Sequence, residues 1–334
     1  MINPKVSRFC WQNLQVEPAP DFPDAELLRD EIVQETIYER VFSDTVTLRP
    51  PRRYQVRILK ELIARIEGSI EDWDEHGISN NLTFALSNLL SQPLLSETDA
   101  AQQRDYVTYH LSLLHGQSTA VETPRIHLLE SRSLISAAGT TGLRTWEAAL
   151  HLGQYLCIDP SLVKNKRVLE LGVGTGYLSV LCAKYLGSGH VIASDGSVEV
   201  VNHLSDSFFL NGLQGSPKVS AMQLNWGHAL VGTPLGEMEG GGLDTILGAD
   251  ITYDVSVIPA LVATLEELAI LFPGLAVLIA ATERNLATFE SFLAVCAKRG
   301  FAVSHESFPV PPRSKQNGPF YSDESPIHIC KLTM

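Results

Sequence analysis

The ten residues Val168-Leu-Glu-Leu-Gly-Val-Gly-Thr-Gly-Tyr177 constrain this chain more than any others. An apolar run carrying Glu170 ends at Leu171, and glycines stand at the alternate positions 172, 174 and 176. An amphipathic segment from Tyr177 to Leu186 comes next. The pattern predicts a strand, a tight glycine turn and a helix. Glycine admits backbone angles closed to other residues and lets a ligand lie against the main chain. The helix that follows directs its positive end at that ligand. A nucleotide-type cofactor loop is the expectation against which the rest of the chain is set.

From Lys166 onward the apolar pattern alternates between strand and helix. It predicts strands over 167–171, 191–194, 219–224, 243–247 and 275–281, with helices over 198–210, 258–271 and 288–299. Such alternation implies an α/β, Rossmann-like, mostly parallel and doubly wound sheet. Two late strands, 301–308 and 327–332, have no long helix between them, which predicts an antiparallel pair at one edge. Ligands of these sheets sit at the carboxyl ends of the strands. Glu170, Asp195 and Asp250 all fall there.

The first 120 residues read differently. Residues 1–25 look irregular, with Pro18, Pro20 and Pro23 close together. Helical spacing covers 26–42, 54–70 and 82–90, and 98–114 reads as a fourth helix or an extended turn. Residues 126–136 suggest a short hairpin arm. The expected division is a mainly helical N-terminal region, 1–120, without chemistry of its own, and a cofactor-binding domain over 121–334.

The cofactor can be narrowed from the loop itself. A dinucleotide fingerprint needs G-x-G-x-x-G, whereas Tyr177 stands where its third glycine belongs. Glu170, two residues before the first glycine, would repel a pyrophosphate and accept from a cationic amino group. That favours S-adenosyl-L-methionine, whose methionine end is an ammonium carboxylate and whose sulfur is positive. Its product is S-adenosyl-L-homocysteine. Asp195, at the end of the second strand, is placed to accept both ribose hydroxyls.

Asp250-Ile-Thr-Tyr253 follows the fourth strand, where substrate chemistry usually lies in this topology. Two readings are open: the pair holds an amine, or Asp250 caps the next helix and Tyr253 packs in the core. The Pro-Pro of a nucleic-acid amino methyltransferase is missing here.

Composition adds exclusions. A net charge of −13 argues against tracking a phosphate backbone, so no direct nucleic-acid partner is expected. The five cysteines are scattered and form no C-x-x-C pair, and the ten histidines form no H-E-x-x-H motif. No metal site is expected. Met1 to Gln12 has no leader pattern, and the longest apolar run, Leu275 to Ala281, is too short to span a bilayer. A cytoplasmic monomer without a membrane partner is the expectation.

With these residues located, the chain resembles the seven-strand protein-lysine methyltransferases with a D-x-x-Y motif after strand four. More narrowly it is similar to the eukaryotic elongation factor 2 lysine methyltransferases. Thr140-Thr-Gly-Leu-Arg-Thr-Trp-Glu-Ala-Ala149, the 168–176 loop, Leu210-Asn-Gly-Leu213, Gln223-Leu-Asn-Trp226 and Ala249-Asp-Ile-Thr-Tyr253 carry the likeness. Arg49-Pro-Pro-Arg-Arg-Tyr54 and Leu59-Lys-Glu-Leu-Ile63 extend it towards the N-terminus. The resemblance implies a seven-stranded class I methyltransferase sheet and elongation factor 2 as the protein substrate. It implies cofactor contacts at Trp146, Gly172, Val173, Gly174, Asp195, Trp226 and Ala249, beside Glu170 and Gly176 of the loop. Another protein substrate, such as a chaperone, or a cofactor-binding adaptor without turnover, is the alternative.

The implied reaction needs a neutral amine. A lysine with a pKa near 10.4 costs roughly 4–5 kcal/mol to neutralise at pH 7. The sulfonium helps, because a nearby positive charge depresses the amine's pKa. Asp250 works the other way, so its expected role is to capture and aim the lysine rather than to act as a base. Tyr253 is expected to line the channel, and orientation is the main catalytic contribution.

Overall fold

The structure is a computed structural model that describes residues 2–93, 104–114, 123–131, 142–238 and 242–334. The described residues form two compact units. The first holds 2–93, 104–112, 123–131 and 317–320, and the second holds 113–114, 142–238, 242–316 and 321–334.

In the first unit the N-terminal stretch is ordered as a helix, α1 (Pro4–Leu14), where an irregular segment was expected. Asn3 accepts from the Lys5 N–H and Pro4 opens the first turn, a capping pattern that the later prolines mask in the sequence. Val6, Phe9, Cys10 and Leu14 make its buried stripe. The expected single helix over 26–42 is broken into α2 (Ala25–Leu28) and α3 (Glu31–Ile37), followed by a π turn at Tyr38–Phe42. Asp30 causes the break, because its carboxylate accepts from the Ile32 N–H and starts a new helix. α4 (Arg52–Ser69) and α5 (Asn80–Ser91) follow the predicted periodicity. Ile58, Leu59, Leu62, Ile66 and Leu82 are fully buried in one apolar cluster with residues of α1 and α3.

The reading of 98–114 as helical is corrected in the described part. Asp105–His110 is a strand, β1, paired antiparallel with β2 (Arg125–Glu130). Tyr106-Val-Thr-Tyr109 is made of aromatic and β-branched residues that favour a pleated surface. The hairpin arm expected near 126 is this β2, while 98–103 and 132–136 lie outside the described residues.

The second unit carries the sheet. Its elements in order are α6 (Glu147–Ile158), β3 (Arg167–Leu171), α7 (Tyr177–Lys184), β4 (His190–Asp195), α8 (Val198–Leu210) and β5 (Val219–Gln223). Then come β6 (Thr245–Ala249), α9 (Ile258–Leu271), β7 (Ala276–Thr282), α10 (Leu286–Lys298), β8 (Ala302–His305) and β9 (Ile327–Thr333). Among the described residues the seven strands are ordered β5-β4-β3-β6-β7-β9-β8. The first five are parallel, and β9 runs antiparallel between β7 and β8. The late pair is therefore antiparallel as expected, with β9 inserted one place inside the edge.

Strand alternation splits the core. Leu169 and Leu171 join Ile246, Val277 and Ile279 in a cluster with Leu261, Leu265 and Leu268 of α9 and Phe289 and Phe292 of α10. Val168 and Glu170 point the other way along the same strand, and Glu170 meets Ser179 of α7. Order reverses between β3 and β6, and such a switch point opens a crevice at the carboxyl ends. The two stretches that the sequence singles out, 172–176 and 250–253, leave the sheet on either side of it.

Candidate active site

A cavity of about 650 Å³ lies at these strand ends. That volume suits a cofactor-sized ligand. Its wall contains Trp146, Glu170, Gly172, Val173, Gly174, Asp195, Trp226, Ala249, Asp250 and Tyr253. Ten of the eleven residues expected at the site are thus brought together. Gly176 stands outside the lining and serves the turn, capping α7 at φ +89°.

The glycine loop is pinned to the end of β4. Val173 N–H donates to the Ser194 carbonyl at 2.9 Å, and Gly174 N–H donates to Asp195 Oδ2 at 3.3 Å. Gly172 sits at φ +64°, and a Cβ there would come within 2.5 Å of Ile251. Only glycine fits that close approach to the cavity floor. Asp195 also accepts from the Ser197 N–H at 3.0 Å. Burial raises its pKa, against the opposing pull of these backbone donors.

Glu170 is almost fully buried and accepts from the Ser179 hydroxyl. Burial pushes its pKa up to about 8, despite that hydrogen bond. The indole N–H of Trp226, which also lines the cavity, is buried without a hydrogen-bond partner among the described residues. A buried carboxylate at Glu170, a partly buried one at Asp195, the indole donor of Trp226 and a glycine-rich turn match the ammonium, hydroxyl and ring groups of S-adenosylmethionine.

Asp250 occupies the left-handed region at φ +53°. Its Oδ1 accepts from the Thr282 N–H at 2.9 Å, and its Oδ2 accepts from the Thr282 hydroxyl at 3.0 Å. The Ala148 N–H, in the first turn of α6, donates to Oδ2 at 3.3 Å. The helix that Asp250 caps is thus α6, packed beside it, rather than the one that follows it in sequence. Tyr253 is 59% exposed at the cavity wall.

Two residues that sequence reasoning passed over complete the wall. Arg284 Nη2, just after β7, donates to Glu147 Oε2 at 2.7 Å and to Asp250 Oδ2 at 3.3 Å. Arg144 Nη2 reaches Glu147 Oε1 at 3.3 Å. Both guanidinium groups lie over the Trp146 ring, 4.9 and 5.1 Å from its centroid for Arg284 and Arg144. The signal available was position alone: Arg284 follows a parallel strand at its carboxyl end. Thr140 and Thr141 of the upstream motif lie outside the described residues. Among the described residues no three His, Cys, Asp or Glu side chains are grouped to hold a metal, and no helix is long and apolar enough to cross a membrane.

The comparisons agree with this geometry. Residues 133–298 match the family described as lysine methyltransferase. The protein-lysine N-methyltransferase EFM3 of Chaetomium thermophilum is 65% identical over 332 residues, covering 99% of this chain and 98% of that protein. The human protein-lysine N-methyltransferase EEF2KMT is 30% identical over 339 residues, covering 98% and 92%. The zebrafish protein N-lysine methyltransferase METTL21A is 35% identical over 161 residues, covering 47% of this chain and 68% of that protein. A Rossmann-like sheet with a cofactor cavity at its switch point, joined to full-length likeness of this order, makes the chain a member of the lysine methyltransferase family: an S-adenosylmethionine-dependent protein-lysine N-methyltransferase.

Proposed function

We propose that the protein methylates a lysine of elongation factor 2 in the cytoplasm, acting as a monomer. One observation carries the substrate. Likeness to the human EEF2KMT runs through 98% of this chain, N-terminal unit included, whereas likeness to METTL21A covers 47%. The added N-terminal unit is what a shared protein substrate would select.

In this reading Glu170 accepts the ammonium of the methyl donor, Asp195 its ribose hydroxyls, and the Gly172-Val173-Gly174 turn supports its backbone-facing edge. Trp146, Trp226 and Ala249 bound the same space. When bound, S-adenosylmethionine would supply a methyl on a positive sulfur, which would keep the carbon–sulfur electron pair as the methyl passes to the lysine nitrogen. Tyr253 and the Asp250 segment hold the lysine chain in line with that methyl. Asp250 is already saturated by Thr282, Ala148 and Arg284, so it acts as a fixed wall that aims the amine and not as a base. The amine reaches its neutral form by losing a proton to water, and orientation provides most of the rate.

Incubation with labelled S-adenosylmethionine and a cytosolic extract tests the substrate. The expected result is one labelled band that disappears when elongation factor 2 is depleted. A labelled band that survives the depletion would assign the activity to another protein.

A further inference from the structure

Lysine methylation sets a charge problem that this site has to solve. The target must shed a proton, yet carboxylates beside an amine stabilise its charged form. Asp250 lines the cavity, and Glu147 stands against it through a shared guanidinium. Two negative charges at the lysine's end of the pocket would hold the proton on.

We infer that Arg284 is the positioning residue that cancels this charge, so that the incoming lysine meets a wall without net negative charge and deprotonates there. The inference rests on the reading of Asp250 and Tyr253 as the lysine side of the cavity. Arg284 is the group that touches both carboxylates, at 2.7 and 3.3 Å. Arg144 balances the second charge through Glu147 Oε1 at 3.3 Å. Both guanidinium groups lie over the Trp146 ring, 5.1 Å from its centroid for Arg144 and 4.9 Å for Arg284. The two arginines and two carboxylates then sum to zero.

Two further carboxylates line the cavity, and the proposed reading sets both on the cofactor's side. Glu170, from β3, is turned inward to Ser179 of α7. Asp195, from β4, is held by the N–H groups of Gly174 and Ser197. Tyr177 of α7, His228 after β5 and Tyr253 after β6 also line the cavity, and none of them is a carboxylate. Removing Arg284 alone leaves one uncompensated carboxylate facing the amine.

The test is the pH profile of kcat/KM for the intact enzyme, with S-adenosylhomocysteine binding measured by calorimetry alongside. Arg284 is 41% exposed, so its substitution leaves the core packed. In Arg284→Gln the rising limb should move upward by about one unit or more, which is roughly a tenfold loss near neutral pH that recovers in alkali. Arg284→Lys keeps the charge and should stay near the parent profile. Adding Glu147→Gln to Arg284→Gln removes the surplus carboxylate and should bring the limb back. Affinity for S-adenosylhomocysteine should hold within a few fold throughout.

A rate loss equal at every pH, or a double variant that fails to restore the limb, would overturn the assignment. So would loss of S-adenosylhomocysteine binding, since it would place Arg284 in the cofactor pocket. If the parent enzyme leaves elongation factor 2 unlabelled at every pH, the substrate reading fails instead. The profile is then read on the protein it does label in extract.

Discussion

Asp250 and Thr282 meet twice across the carboxyl ends of β6 and β7, through the Thr282 N–H at 2.9 Å and its hydroxyl at 3.0 Å. With the Ala148 N–H as a third donor, one carboxylate ties two strands and a helix together while forming part of the cavity wall. Asp250→Ala therefore should cost twice. It leaves backbone N–H groups without acceptors, worth about 1–3 kcal/mol each, and it puts a poorer residue at positive φ. It should also abolish methyl transfer while cofactor affinity stays within a few fold. Asp250→Asn keeps an acceptor oxygen and tolerates the left-handed backbone, so its melting temperature should fall less. Thermal unfolding and calorimetry read the two effects apart.

Tyr253 is exposed and stands outside the buried core of the described residues. Tyr253→Ala should leave the melting temperature within a degree or so, since surface changes mostly lie within ~0.5 kcal/mol. Cofactor affinity should again hold within a few fold, while methyl transfer is lost. Calorimetry that finds cofactor binding lost would move Tyr253 from the lysine side to the cofactor side.

The cofactor loop makes the opposite prediction. Gly174 lies at φ +52°, and a Cβ there would sit 3.2 Å from the Gly142 carbonyl. Gly174→Arg should lose cofactor binding altogether. Asp195→Ala should do the same by removing the acceptor at the end of β4. An active Gly174→Arg enzyme would reject the loop assignment.

Glu170 gives a pH dependence with a defined sign. Its folded pKa of about 8 lies above the ordinary value of 4.5, so between these values the folded chain binds more protons than the unfolded one. Without ligand, that contribution to stability is full below about pH 4.5 and is lost as pH rises through about 8. An ammonium beside Glu170 needs the ionised form. Affinity for S-adenosylmethionine should therefore climb with pH up to about 8, with a proton released on binding. Glu170→Gln should flatten both slopes and weaken binding by roughly tenfold or more. Calorimetry in two buffers of different ionisation enthalpy measures the released proton directly.

The sheet was legible because its elements declare themselves locally. Leu169 and Leu171 alternate with Val168 and Glu170, and the glycines at 172 and 174 have one backbone explanation. Glu170, Asp195 and Asp250 followed from topology, whereas Trp146, Trp226 and Ala249 came with the family resemblance. The first unit was harder to read because its boundaries depend on caps. Asn3 starts α1 and Asp30 divides α2 from α3, and one polar side chain outweighed the apolar period each time. Tyr106 to Tyr109 became a strand because β2 pairs with it, a tertiary partner 19 residues away at Thr108 and His127. Arg284 was missed since its meaning comes from Glu147 and Asp250, which lie 137 and 34 positions off.

Lysine methylation of elongation factor 2 is read by peptide mass spectrometry. Purified elongation factor 2 is incubated with S-adenosylmethionine and either the parent enzyme or Tyr253→Ala, and every lysine peptide is measured. Added methyl groups are expected on one lysine with the parent enzyme and none with the variant. Elongation factor 2 left unmodified by a parent enzyme that binds S-adenosylmethionine and methylates another protein would contradict it.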